Sequence, residues 1–253
     1  MASWTWASAS NIGTSHVKSG IRRQDAHRCY VPQNAPDFVI CVVSDGAGSA
    51  NFGGEGASIV CRTFSIAAQA HLEATGSLPN DEQLKMWVDS IRDRIFFAAT
   101  QRSLTPRDFA ATMIAVLSDS HRTLIAHVGD GCAAVKDAAT GEWRIPIWPV
   151  QGEYASTTNF VTDAPEAKCT TWREETGISA IAVLSDGLER LAIDFAGKSP
   201  FAGFFDGMAK PVRASGVTGR DRILSERLAE YLDSDAVNSR TDDDKTLVVA
   251  ARR

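Results

Sequence analysis

Short apolar runs that end in polar turns recur along most of the chain and predict β-strands. The clearest run, FVICVVS at residues 38–44, is rich in β-branched side chains, as in a buried strand. It stops at Asp45-Gly46, a residue pair that favours a turn. Similar patterns predict strands at residues 4–8, 25–31, 109–117, 123–128, 132–136, 143–147, 168–174, 178–185 and 246–251.

Other segments have apolar residues at helical spacing instead. Residues 54–73 predict one long helix, and residues 81–103 predict another with Asp81 as its N-cap. Shorter helices are expected at 200–210 and 220–232, and a loop at 234–242. We expect the strands within residues 109–147 to form an antiparallel meander. The order of strands, helices and strands predicts an α+β fold, and no shift in composition divides residues 1–253 into more than one domain.

Composition excludes several classes of protein. The 253 residues are 44% hydrophobic and 23% charged, as in an ordinary globular protein. A formal net charge of -5 without a Lys/Arg run argues against nucleic acid or a membrane surface as a partner. We find neither the apolar core of a signal peptide nor an apolar stretch long enough to span a membrane. Five cysteines, mostly among apolar neighbours, indicate reduced core residues and a cytoplasmic protein.

Acidic residues recur at the ends of the predicted strands. Three strands end in Asp-Gly, at Asp45, Asp130 and Asp186, and the triplet 242–244 precedes the last strand. Each Asp-Gly pair alone is explained by a turn. Their recurrence favours a site rich in carboxylate oxygens, because strand ends hold such side chains rigidly and glycine lets a ligand approach the backbone. Mg²⁺ and Mn²⁺ are the ions that such oxygens bind, and they would offset the mutual repulsion of the carboxylates.

These residues occur within a series of motifs that runs through nearly the whole chain. The series resembles, in the same order, the motifs of the metal-dependent protein phosphatases of type 2C (PPM). The similarity is closest to a compact bacterial subgroup with Gln-Asp-Ala in the first motif. The matching segments are Gly13-x-Ser15-His16 through Gln24-Asp25-Ala26, Ser44-Asp45-Gly46-x-Gly48, Gly129-Asp130-Gly131, Ser185-Asp186-Gly187 and Asp243-Asp244-x-Thr246.

The resemblance implies a four-layer α-β-β-α sandwich, with two central antiparallel sheets flanked by helices. It also implies a centre of two Mg²⁺ or Mn²⁺ ions at one edge of the sheets. By motif position, Asp45 would bridge both ions, Gly46 would offer its carbonyl oxygen, and Asp186 and Asp243 would complete the shell of one ion. Asp25 would support the centre through water, and Asp130 would bind a weaker third metal. Asp242 or Asp244 would replace Asp243 if the register shifted by one, but Asp243 places Thr246 where the family has a hydroxyl residue.

The chain also departs from the family pattern. Gly20 stands where relatives often have an arginine that binds the substrate phosphate, and Arg22, Arg23 or Lys18 are the substitutes that the sequence offers. Ala47 stands where some relatives have a histidine proposed as general acid, which leaves His16 and His27 as candidates. Gln24 replaces the more usual glutamate. The segment from Gly152-Glu153-Tyr154 to Thr162 is similar to a loop near the site in the subgroup.

The resemblance implies a phosphoprotein phosphatase that uses metal-activated water to hydrolyse phosphoserine and phosphothreonine. Its expected substrates are phosphorylated proteins, the targets of a bacterial Ser/Thr kinase, and we expect a monomer. Two other hypotheses stay open on the sequence. One is a catalytically weak phosphatase-like module that binds and regulates a kinase or phosphoprotein, and the other is a metal-dependent hydrolase of small phosphate esters.

Overall fold

The computed structural model describes residues 3–149 and 158–252, and two antiparallel sheets lie at its centre. The strands are β1 (Trp4–Asn11), β2 (Ala26–Tyr30), β3 (Val39–Ser44), β4 (Met113–Ser118), β5 (Thr123–Val128), β6 (Cys132–Asp137), β7 (Trp143–Arg144), β8 (Thr170–Glu174), β9 (Ile178–Leu184), β10 (Ile193–Asp194), β11 (Ser199–Pro200), β12 (Gly219–Arg220) and β13 (Lys245–Arg252). The helices are α1 (Thr14–Ser19), α2 (Gly53–Thr75), α3 (Asp81–Thr100), α4 (Glu189–Ala192), α5 (Ala202–Ala214), α6 (Arg222–Leu232) and α7 (Asp235–Asn238). Two 3-10 turns lie at Pro106–Phe109 and Asp186–Leu188.

Each sheet combines strands from distant parts of the chain. The five-stranded sheet has the order β2-β3-β4-β5-β8, and the six-stranded sheet has the order β12-β1-β13-β9-β6-β7. Among the strands of the described residues, only the short β12 pairs in parallel, with β1. The first and last long strands, β1 and β13, are antiparallel neighbours over their full length. This pairing brings the N-terminal motif of the sequence beside the C-terminal acidic triplet.

Three apolar cores separate the four layers. Between the sheets, side chains such as Val43, Val116, Ile181 and Val248 are almost completely buried. On the outer face of the five-stranded sheet, α2 and α3 bury a stripe that includes Phe64 and Ile91. On the other side, α5 and α6 cover the six-stranded sheet through a core that includes Phe205 and Leu232. The architecture is therefore the predicted α-β-β-α sandwich. Each sheet buries one face against the other sheet and its opposite face against helices.

Several local predictions are wrong. The 109–147 meander is interrupted, because β5 belongs to one sheet and β6 crosses to the other, where it pairs with β7 and β9. The start of the predicted strand at 109 is a 3-10 turn, and the 234–242 loop contains α7. Asn80, and not Asp81, caps α3 by accepting a hydrogen bond from the backbone N–H of Gln83 at 2.8 Å. The short α1, α4, β10, β11 and β12 were not expected, since elements of this length have little periodicity.

No helix in residues 3–149 or 158–252 has the combination of length and apolar character that a membrane span requires.

All five cysteines are free thiols, and burial raises the pKa of Cys132 well above its ordinary value. A thiol that resists ionisation is a poor nucleophile, so Cys132 does not have the environment of a reactive cysteine.

Candidate metal centre

Acidic side chains from four chain segments meet at one end of the sandwich. Asp45 follows β3, Asp130 lies in the turn between β5 and β6, Asp186 follows β9, and Asp243 precedes β13. All four line a cavity of about 450 Å³. They converge there because the strands that carry them end at the same edge of the two sheets. The predicted ligand Gly46 and the candidate proton donor His16 also line this cavity.

Backbone hydrogen bonds hold the Asp45-Gly46 turn from two sides. Asp45 and Thr112 form a reciprocal pair, in which the N–H of Thr112 donates to the carbonyl of Asp45 at 2.8 Å and the hydroxyl of Thr112 accepts from the N–H of Asp45 at 3.0 Å. The N–H of Gly46 donates to the carbonyl of Gln24 at 3.2 Å. A Cβ on Gly46 would lie 2.2 Å from the backbone carbon of Gly53, so the close approach of these two segments requires glycine.

Asp25 lies beneath this turn and is almost completely buried. Its Oδ2 atom accepts hydrogen bonds from the hydroxyls of Ser185, at 2.7 Å, and Thr246, at 2.6 Å. Its Oδ1 atom is buried and has no hydrogen-bond partner among the described residues. Asp25 does not itself line the cavity, whereas Asp45, Asp130, Asp186 and Asp243 do.

The structure distinguishes the three aspartates of the acidic triplet. Asp244 turns inward and is 1% exposed, and its carboxylate accepts hydrogen bonds from the backbone N–H groups of Gly13 at 2.6 Å and Gln24 at 2.5 Å. Asp242 is exposed and uses only its main-chain oxygen, which accepts two bonds from Ser15. Among the three, Asp243 alone lines the cavity together with Asp45 and Asp186. Asp243 is also the residue that the position of Thr246 in the last motif favoured.

Burial and the charges of neighbouring carboxylates raise the pKa of Asp25, Asp45, Asp186 and Asp243. Burial is the main cause at Asp25, whose pKa rises from 3.8 to about 6, and at Asp186, whose pKa rises to about 7 with a further contribution from Asp130. Burial, followed by the charges of Asp25 and Asp186, raises the pKa of Asp45 well above its ordinary value. Asp243 shifts in the same direction, chiefly through burial. Such a group of carboxyls is costly to ionise unless a cation accompanies it.

The donor set suits hard divalent cations. Asp25, Asp45, Gly46, Asp186 and Asp243 can offer only oxygen atoms as ligands. The Oδ1 atoms of Asp25 and Asp186 are buried without a hydrogen-bond partner in the described part of the chain. In residues 3–149 and 158–252, no three His, Cys, Asp or Glu side chains form a ready-made coordination shell. Magnesium does not need one, because it binds through one or two carboxylates and retains several waters. The residues therefore fit Mg²⁺ or Mn²⁺ with water and backbone oxygens completing the coordination.

The other sequence-predicted residues lie outside the cavity. Arg23 directs its guanidinium to the backbone carbonyls of Ser10, at 2.7 Å, and Asp25, at 3.2 Å, and Arg22 is exposed on the same loop. Neither arginine lines the cavity. His27 lies on β2, also away from the cavity, and burial lowers its pKa to about 4, so it is uncharged at neutral pH. The structure thus brings His16 to the site, but not Arg22, Arg23 or His27.

Several residues of the site were not named individually from the sequence, although two of them lie in the segment that is similar to the subgroup's loop. Arg107 lines the cavity from the 3-10 turn before β4, and Phe160 and Thr158 line it from the end of the predicted subgroup loop. Thr158 donates a hydrogen bond of 2.5 Å to Asp130, whereas Gly152, Glu153 and Tyr154 of that loop lie outside the described residues. Glu189 accepts from the N–H of Gly131 at 2.8 Å, and burial raises its pKa to about 8. The sequence indicates the site through Asp-Gly pairs at strand ends, and none of these residues belongs to such a pair.

Comparisons with known proteins identify the family of the chain. A family model described as "Protein phosphatase 2C" matches residues 12–233. The chain is 35% identical over 252 residues to the Escherichia coli (strain K12) protein "Serine/threonine-protein phosphatase 3", covering 98% of both chains.

Solved structures show the same fold at lower identity. The Staphylococcus aureus serine/threonine phosphatase Stp1 has a TM-score of 0.64 at 15% identity, over 97% of this chain and 94% of that one. The catalytic domain of the serine/threonine protein phosphatase PstP, solved with two manganese ions, has a TM-score of 0.62 at 18% identity, over 100% and 99% of the two chains. The family model and the curated relative confirm the resemblance that the motifs indicated: the chain belongs to the protein phosphatase 2C family.

Proposed function

We propose that the chain is a phosphoprotein phosphatase that hydrolyses phosphoserine and phosphothreonine with the help of divalent cations at the cavity. The observation that carries the proposal is the convergence of Asp45, Asp130, Asp186 and Asp243 on one cavity, with raised pKa values at Asp45, Asp186 and Asp243. The family match and the name of the E. coli relative support the reaction and the substrate class. PstP, with its two manganese ions, supports the use of a divalent metal.

Each residue has a separate role in this proposal. Asp45, the carbonyl of Gly46, Asp186 and Asp243 would hold two Mg²⁺ or Mn²⁺ ions, and Asp130 would contribute to a third, weaker site. When bound, such ions activate water for attack on phosphorus and offset charge on the phosphoryl oxygens. Asp25 orients this set from below through its bonds to Ser185 and Thr246. The reaction then needs no nucleophilic side chain.

His16 is the proposed proton donor to the leaving group. A serine or threonine alkoxide leaves poorly unless it is protonated, so a donor within the cavity contributes to the rate. The Nδ1 atom of His16 lies 2.9 Å from Asp244, which fixes the orientation of the ring and leaves Nε2 for proton transfer. Among the histidines that the sequence offered for this role, His16 is the one that lines the cavity.

Metal-dependent turnover is the direct test. We expect the purified protein to release phosphate from phosphothreonine and phosphoserine peptides with Mn²⁺, and to lose that activity when the metal is chelated. Asp45→Asn should lower the activity by at least 100-fold, whereas Asp89→Asn, at an exposed aspartate on α3, should retain it.

Three results would contradict the proposal. Turnover that persists in both the chelator and Asp45→Asn would exclude the metal mechanism. Higher kcat/KM for small phosphate esters than for phosphopeptides would favour an esterase of small molecules. Failure to bind millimolar Mn²⁺ in calorimetry, together with no turnover, would favour a regulatory phosphatase-like module.

The remaining expectations from the sequence extend the same proposal. We propose that residues 1–253 form one catalytic domain, which acts as a monomer in the cytoplasm on targets of a bacterial Ser/Thr kinase. The shared edge at which both sheets end supports a single domain, since the cavity needs strands from each sheet. Light scattering of the purified chain would test the oligomeric state, and cell fractionation would test the location.

A further inference from the structure

A phosphorylated substrate brings a dianion into a cavity that is lined by aspartates, so a protein cation near the phosphoryl group would favour binding. The motif resemblance led us to expect such a cation at position 20, where this chain has the uncharged Gly20. We propose that Arg107 binds the phosphoryl oxygens of the substrate instead. This inference rests on the proposed phosphatase function and adds a substrate-binding residue to it.

The first support is the position of Arg107. Among the described residues that line the cavity, Arg107 is the sole lysine or arginine, and it shares the lining with Asp45 and the Gly46–Ser49 turn. Its side chain is exposed, and no carboxylate in the described part of the chain pairs with it. The guanidinium is thus available to an incoming anion.

The second support is the rigid attachment of the Arg107 backbone to the metal-binding turn. The adjacent Asp108 closes a capping box, in which its carboxylate accepts from the N–H of Thr105 at 2.9 Å and from the hydroxyl of Thr105 at 2.7 Å. The other oxygen of Asp108 accepts from the side-chain amide of Asn51 at 2.8 Å. The carbonyl of Asp108 accepts from the N–H of Phe52, also at 2.8 Å.

These bonds connect the 3-10 turn to residues 51–52, which closely follow the Gly46–Ser49 turn. A further bond, from the N–H of Ala47 to the carbonyl of Ala110 at 2.9 Å, connects the two segments at their other end. The backbone of Arg107 is therefore fixed relative to Asp45, while its long side chain keeps its freedom. This combination suits a residue that must reach a phosphoryl group held by the metal-binding aspartates.

The third support is that nearby arginines have other partners. Arg102 forms two hydrogen bonds to Glu55, at 2.7 and 2.6 Å, and its guanidinium lies over the rings of Phe52 and Phe109. Arg23 donates to the backbone carbonyls of Ser10 and Asp25. Recruiting either one would break existing contacts, whereas recruiting Arg107 would break none that the structure shows among the described residues.

The test compares Arg107→Ala and Arg107→Lys with Arg94→Ala, a control at an exposed arginine on α3 outside the cavity. Activity is measured with Mn²⁺ on a phosphothreonine peptide and on an aryl phosphate. Binding of inorganic phosphate to the Mn²⁺-loaded protein and binding of Mn²⁺ alone are measured by calorimetry. Thermal melting confirms that each variant is folded.

We expect Arg107→Ala to lower kcat/KM for both substrates by about 10- to 100-fold, the usual range for loss of a hydrogen bond to a charged group. Phosphate binding should weaken by a similar factor, with Mn²⁺ affinity changed less than twofold. Arg107→Lys should recover part of the loss, because lysine keeps the charge but not the two-pronged geometry.

The inference is overturned if Arg107→Ala matches Arg94→Ala in both kcat/KM and phosphate affinity, or if Arg22→Ala or Arg23→Ala weakens phosphate binding and Arg107→Ala does not. A wild-type protein without Mn²⁺-dependent turnover would contradict the proposed function instead. In that event the calorimetric phosphate titration would still decide the role of Arg107.

Discussion

The Oδ1 atom of Asp244 lies 2.9 Å from Nδ1 of His16, although the two residues are 228 positions apart in the sequence. The same carboxylate accepts from the backbone of Gly13 and Gln24. Asp244 thus holds the N-terminal motif in place, while its neighbour Asp243 lines the cavity. The two neighbouring aspartates therefore have different places. Asp243 faces the cavity, whereas Asp244 is buried and holds the N-terminal segment against the start of β13.

Asp244→Asn should destabilise the protein by about 2–3 kcal/mol, because one carboxylate oxygen becomes an amide that faces the N–H of Gln24 without accepting from it. Asp242→Asn, at the exposed first position of the triplet, should change the free energy of unfolding by less than about 0.5 kcal/mol. Urea denaturation of both variants measures the difference. Equal stability of the two variants would show that the buried network contributes little.

Thr246→Val should impair the site without removing any acidic group. The substitution removes the hydroxyl that donates to Oδ2 of Asp25 at 2.6 Å. Oδ2 then keeps only the bond from Ser185, and Oδ1 of the same buried carboxylate has no partner among the described residues. We expect metal affinity and kcat to fall by about 10-fold, and Thr246→Ser, which keeps the hydroxyl, to retain most of both. Calorimetry with Mn²⁺ and steady-state kinetics are the measurements. A valine variant that behaves like the serine variant would remove Thr246 from the support of the centre.

Gly46→Ala should disrupt the metal-binding turn for steric reasons. The added Cβ would lie 2.2 Å from the Gly53 backbone, and backbone cannot move aside as cheaply as a flexible side chain. A loss of about 2 kcal/mol or more is expected. Gly48→Ala is the matched control in the same turn, since a Cβ there meets nothing within 4 Å. Similar melting temperatures for the two variants would contradict the close approach of residues 46 and 53.

The stabilisation provided by Mn²⁺ should increase as the pH rises from about 5 to 8. Without metal, the pKa values of about 6 at Asp25 and about 7 at Asp186 exceed the ordinary 3.8, so the folded protein binds more protons than the unfolded chain between these values. Rising pH therefore lowers the stability contributed by these groups in the metal-free state. Bound metal removes this effect, because it keeps the carboxylates of the folded protein ionised, as they already are in the unfolded chain above about pH 5.

Thermal melts with Mn²⁺ and with chelator, recorded at several pH values, test the pH prediction. The gap between the two melting temperatures should widen with pH, and Asp186→Asn should reduce the widening. A gap that stays constant from pH 5 to 8 would show that these carboxyls do not bind the metal in competition with protons.

The pattern of the sequence predicted an α+β fold, and the resemblance of its motifs implied the four layers and the carboxylates of the site. Buried strands such as 123–128 can be recognised from the sequence, because a strand that is covered on both faces needs a continuous run of β-branched and apolar side chains. The Asp-Gly pairs were equally visible, since the turn chemistry and the carboxylate lie next to each other in the chain. The order of these motifs was specific enough to indicate the family.

Tertiary structure decided what depends on distant partners. Whether β6 continued the meander or crossed to the other sheet was set by its pairing with β9, more than 40 residues later. The choice of Asp243 for the cavity and Asp244 for the interior depended on Gly13 and Gln24 at the other end of the chain. Likewise, Arg22 and Arg23 are close to Asp25 in sequence but lie outside the cavity. Arg107 lines the cavity because its neighbours Asp108 and Ala110 accept hydrogen bonds from residues 47–52. A side chain's direction at the end of a strand depends on which segments pack around it, and that information is not local.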